Sequence, residues 1–95
     1  MEEELDNLIK YVLKKYKEPE LWWPKEKYRK RCIEIYATDQ AILKCLDSPL
    51  KEPKVIIENY IYELCMANQY HNSTKADKDI SIILNTLYSL CRFLN

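Results

Sequence analysis

The chain has one histidine, His71, so the commonest proton shuttle and the commonest metal ligand share a single candidate. It falls at the end of a helical pattern, where an imidazole more simply complements the negative end of the helix dipole. Cys32, Cys45, Cys65 and Cys91 are widely spaced and include no C-x-x-C pair. Zinc sites need clustered ligands at short spacings, so neither a metal nor a cofactor is expected. The cysteines mostly occupy apolar helical positions and read as reduced, buried thiols. Cys32 follows Arg29, Lys30 and Arg31, a setting that can activate a thiol, yet its position too reads as core. Inward-facing glutamates with a Glu-x-x-His motif, the signature of a carboxylate-bridged metal bundle, are absent. Asp39 is the one carboxylate on an apolar face, where it is either a buried polar contact or the cap of a broken helix. An enzyme would have to bring Asp39 and His71 into one pocket. No catalytic residue is therefore expected, and the chain reads as a non-enzyme.

Binding chemistry is better represented. Lys25, Lys27, Arg29, Lys30 and Arg31 stand beside Trp22, Trp23 and Tyr28, the mixture of cations and stacking rings that binds single strands or phosphates. The five cations spread around the helix, however, and Glu26 and Glu34 flank them, as in an ordinary solvated helix start. A second signal is apolar surface left over once a core is assigned. Val55, Tyr62 and Met66 line one helical stripe, continued towards Tyr70, and Ile82, Thr86, Ser89 and Phe93 line another. Such spacings suit helix-in-groove contacts, and aromatic anchors such as Trp22 and Trp23 are enriched at the centres of interfaces. The expected partner-binding residues are Trp22, Trp23, Val55, Tyr62, Met66, Ile82 and Phe93.

Four helices must position these groups. The clearest runs over 74–94, where Ile80, Leu84, Leu87, Cys91 and Leu94 recur at alternating spacings of four and three. Ile83 and Leu90 widen that seam to roughly 160°, which predicts a central stave packed against several neighbours. Leu5, Leu8, Ile9, Val12, Leu13 and Tyr16 predict a first helix over about 2–17, with glutamates at its start and lysines at its end. Pro19 ends it. A second helix begins at Pro24, where a missing N–H costs nothing, and runs unbroken to about residue 46 with Tyr28, Cys32, Ile35, Tyr36, Ile42, Leu43 and Leu46 as its apolar face. Ser48-Pro49 and Glu52-Pro53 punctuate a connection with room for one helical turn. The third helix, 53–70, buries Ile56, Ile57, Tyr60, Ile61, Leu64, Cys65 and Ala67, and Asn72 stops it. Thr74 and Asp77 have capping-box spacing for the fourth, and Asn72-Ser73-Thr74, a formal glycosylation acceptor, reads as this helix boundary. Short connections predict an all-α, compact up-down bundle of four helices in a single domain, 1–95.

Composition narrows the class. Fifteen basic and fifteen acidic residues cancel, so no whole-molecule field draws the chain to nucleic acid or an anionic membrane. Met1 is followed by three glutamates and no apolar run approaches a membrane span, which predicts a cytoplasmic protein without a membrane partner. Glycine is absent where average usage would place about six or seven, which removes the phosphate-cradling turns that depend on it. Lys, Ile, Asn and Tyr are abundant instead, a bias of AT-rich genomes that points to a bacterial or phage source. The expected function is a small protein–protein interaction module, an inhibitor, adaptor or regulator, with homodimerisation as one mode. Its rival is a nucleic-acid accessory protein using residues 22–31.

Overall fold

The computed structural model describes residues 2–68 and 74–95. These form α1 (Glu2–Lys15), α2 (Lys25–Asp47), α3 (Pro53–Asn68) and α4 (Thr74–Leu94), with no strand among the described residues. The fold is the expected all-α four-helix bundle. His71, Tyr70, Asn72 and Ser73 lie outside the described residues, as do the side chains of Thr74 and Asp77.

Neighbouring helices run antiparallel. Tyr11 of α1 stacks on Phe93 near the end of α4, with ring centroids 4.2 Å apart, while Lys15, one turn on, reaches back to Ser89. At the start of α3, Lys54 and Glu58 lie close enough to the end of α4 to act electrostatically on Cys91. Consequently α2 and α4 run in the same direction, and their second turns are tied together by a bidentate Arg29–Asp79 pair at 2.8 and 2.9 Å. In a square bundle such a diagonal pair stays apart. Here α2 and α4 touch each other as well as both α1 and α3, so the bundle is sheared, and α4 is the central stave that its wide seam predicts.

Small residues permit that shear. Ala37, Thr38, Ala41 and Cys45 follow a helical stripe and are buried, giving α2 a low surface on which its neighbours can approach closely. Leu87 and Leu90 of α4, with no exposed surface, join Leu8, Val12 and Tyr16 of α1 and Ile56, Ile57, Tyr60 and Ile61 of α3 in one core. The buried hydroxyls of Thr38 and Thr86 donate within their own helices, to the carbonyls of Ile35 (2.9 Å) and Ile82 (2.8 Å), so neither leaves an unpaired polar group inside.

The connections are built from local chemistry. Pro24 caps α2 with φ −54° and ψ 144°, and its carbonyl accepts from the Tyr28 N–H at 2.9 Å. Between α2 and α3 the Lys51 N–H returns to the Ser48 carbonyl at 3.1 Å, making a turn with Pro49 at its second position rather than a helical turn. Pro53 then opens α3.

Four assignments differ from the sequence pattern. The expected apolar face of α2 is rotated: Cys32, Tyr36, Leu43 and Leu46 are exposed, because the small-residue stripe makes the tighter contact. Asp39 moves outwards with them; it is exposed in an unbroken helix and is neither a buried contact nor a cap. Leu13 is exposed because α1, at a corner of the sheared bundle, buries only a narrow stripe, and Ala67 is exposed because the core ends before the last turn of α3.

Candidate interaction surface

Residues from α2 and α3 converge on a groove of about 270 Å³. Ile56 and Tyr60 belong to the core and form its apolar part; Lys44, Asp47, Ser48 and Lys51 line it from the α2 side, Asn59 and Glu63 from α3. Lys44 stands 4.7 Å from the Tyr60 ring centroid and 4.0 Å from the Glu63 carboxylate, placing a cation between a π face and an anion. Burial pushes the Tyr60 phenol up, and the neighbouring Tyr36 and Glu63 add to the shift. Phenol rather than phenolate is thus what the groove presents across the physiological range.

Exposed apolar residues also occur on both helices, outside the lining of this groove. On α2, Tyr36, Leu43 and Leu46 are each a little over half exposed (54, 53 and 54%), and Leu50 follows in the turn. On α3, Val55, Tyr62 and Met66 share a stripe with Asn59 at spacings of four, three and four, and Asn59 itself lines the groove. Tyr62 is 66% exposed. Large exposed apolar side chains on two packed helices, with a charged groove between those helices, have the chemistry of a surface that receives another amphipathic element.

The other expected residues fall into different environments. Trp22 is exposed at the tip of the α1–α2 loop, and its indole N–H donates to the Glu20 carboxylate. Trp23 is held within the molecule: Lys27 and Arg31 stand 5.1 and 5.2 Å from its ring centroid, and Trp22 meets it edge-on. Arg31 also donates to the Lys17 carbonyl at 2.7 Å and to Glu34 at 3.1 Å, so it clamps the loop onto α2. Of the five cations in the basic stretch, Arg29 and Arg31 are therefore engaged by Asp79 and Glu34, Lys27 faces Trp23, and Lys25 and Lys30 are exposed.

On α4 the outer stripe is not free surface. Thr86 and Ser89 are buried and Phe93, still 40% exposed, stacks one ring face on Tyr11, because α1 packs across the arc that spacing marks as unclaimed. Ile82 is half-buried and borders two clefts beside that contact. Sequence reasoning missed Tyr36, Leu43 and Leu46 as surface residues, since large apolar residues on a helix are normally read as core. A signal was present in Asp39, which sits on the same arc.

Cys45 and Cys91 are buried and Cys32 is exposed; all four cysteines are free. Burial raises both inner thiols, Cys45 to about 11. Among the described residues no three His, Cys, Asp or Glu side chains converge as a metal site, and no helix is long and apolar enough to cross a membrane. The chain matches no protein-family model, no curated protein and no solved structure.

Proposed function

We propose that the chain is a small non-enzymatic interaction module, an inhibitor, adaptor or regulator, which docks another polypeptide on its α2–α3 face. A second copy of itself is the simplest occupant. The observation that carries this reading is the outward rotation of α2: its large apolar residues Tyr36, Leu43 and Leu46 face solvent, as do Val55, Tyr62 and Met66 on α3. Scattered exposed apolar residues are ordinary, whereas aligned ones on adjoining helices mark interaction sites. Trp22, largely exposed on an ordered loop, is a second anchor.

The nucleic-acid reading draws less support, because Arg29, Arg31 and Lys27 already satisfy intramolecular partners. Salt-sensitive oligonucleotide binding lost in Lys25→Gln/Lys30→Gln would favour it instead.

Sedimentation of labelled protein, alone over a dilution series and in an extract of the source cells, tests the leading reading. The expected outcome is a species heavier than the monomer in at least one setting, lost in Leu43→Glu/Tyr62→Glu with helicity unchanged. A monomer in both settings, or a complex that survives the double substitution, would refute it.

A further inference from the structure

Beyond the α2–α3 face, a cleft of about 300 Å³ lies where α1, α2 and α4 meet. Each helix contributes a cation to its lining: Lys15, Lys30 and Arg92. The ion pairs among the described residues join Arg29 to Asp79, Arg31 to Glu34 and Lys44 to Glu63, so these three cations have no carboxylate partner there. Glu34 is the only carboxylate lining the cleft, and its charge is already engaged by Arg31. Three like charges around one concavity make its potential positive and favour an anion there.

Lys15 is moreover not a loose surface lysine. Its ammonium donates to Tyr11 Oη at 2.9 Å and to Ser89 Oγ at 2.8 Å, and it stands 5.4 Å from the ring centroids of both Tyr11 and Tyr16. These neighbours fix its position and are all uncharged side chains, so they leave its charge unneutralised. Ser81 and Asn85 add side-chain donors to the same lining. A neighbouring cleft of about 510 Å³ shares Lys30 and Ile82 with the first, so an apolar side chain and further room adjoin the cationic centre.

We propose that this cleft binds a phosphate group, borne by a small organic phosphomonoester whose remainder lies over Ile82, or free. The phosphate's oxygens accept from Lys15, Lys30 and Arg92, the last being able to donate two parallel bonds. The pocket is at the small end of the range for ligand sites, which suits one phosphate with a short substituent better than a nucleotide.

The test is a titration of the intact chain with inorganic phosphate, and separately with glycerol phosphate, followed by amide NMR shifts at constant ionic strength. Saturable shifts centred on Lys15, Lys30, Ser89 and Arg92, with affinity lowered about tenfold or more in Lys30→Gln/Arg92→Gln, are expected. Both substituted residues are exposed, so that variant keeps its fold. Tighter binding of glycerol phosphate than of phosphate would assign the site to an ester, and equal binding to the free anion. Shifts spread over all lysines, no saturation by about 50 mM, or equal affinity in wild type and the double variant would overturn the proposal.

Discussion

Cys45 has the most sharply defined environment of any titratable residue in the bundle. It is buried against α3, where its thiol approaches the Pro53 carbonyl at 4.0 Å, and burial raises its pKa from 9.0 to about 11. A thiol is neutral when protonated, so over this interval the folded chain holds a proton that the unfolded chain has released. Its contribution to stability is complete below about pH 9 and is lost as pH rises through about 11, amounting to about 2 to 3 kcal/mol. Chemical denaturation of wild type and Cys45→Ala from pH 8 to 11 checks this: the wild type should lose more stability, and a parallel decline would contradict it. Burial acts in the same direction on Cys91. A thiol reagent added to the folded chain should accordingly modify exposed Cys32 well before Cys45 or Cys91, whose labelling awaits opening of the core.

Among the elements, α2 is where pattern and structure part. The periodicities of α1, α3 and α4 were legible because each buries large aliphatic residues on its predicted seam: Leu8 and Val12, Ile57 and Ile61, Leu87 and Leu90. In α2 the buried stripe is Ala37, Thr38, Ala41 and Cys45, whose small size gives little hydrophobic signal but allows close helix approach. Helix boundaries were legible from Pro24, Pro53 and the lysines closing α1, since these act through local backbone chemistry. The docking of α1 over Thr86, Ser89 and Phe93 was not, because a tertiary contact between the first and last helices leaves no periodic trace in either. Of the expected interaction residues, Val55, Tyr62, Met66, Trp22 and Phe93 are exposed, Phe93 with one ring face stacked on Tyr11, whereas Trp23 and Ile82 lie in intramolecular contacts or clefts.

The rotation of α2 makes opposite demands on two neighbouring residues. Ala41→Leu should overpack the contact with α4 and cost about 1 to 3 kcal/mol, while Leu43→Ser should stay within about 0.5 kcal/mol of wild type. Urea midpoints for the two variants decide it; a larger loss at Leu43 would return the apolar face of α2 to the core. In α4, Leu87→Ala should cost about 2 to 5 kcal/mol, since a fully buried leucine at the centre of the core leaves a cavity that its neighbours fill only in part.

For the whole molecule, shape and surface bear on the same question. The Cα atoms extend over 37 × 36 × 21 Å, a slab whose thickness is close to two helix layers. A slab exposes more surface than a sphere of equal volume, and a chain of 95 residues has limited core with which to offset that. Covering the α2–α3 face with another chain would bury apolar surface such as Leu43 and Tyr62 and add stability that grows with the logarithm of the partner's concentration. Two apparently separate features, a marginally sized core and an aligned apolar exterior, then have one explanation. Trp22, at the far end of α2 from the turn that carries Leu50, would extend the contact or anchor a second one.

The most direct measurement is the sedimentation of wild type and Leu43→Glu/Tyr62→Glu, alone and in extract of the source cells. Docking on the α2–α3 face requires a complex with the wild type and a folded monomer with the double variant in the same setting. Monomers throughout, or a complex indifferent to both substitutions, would contradict the role assigned to that face.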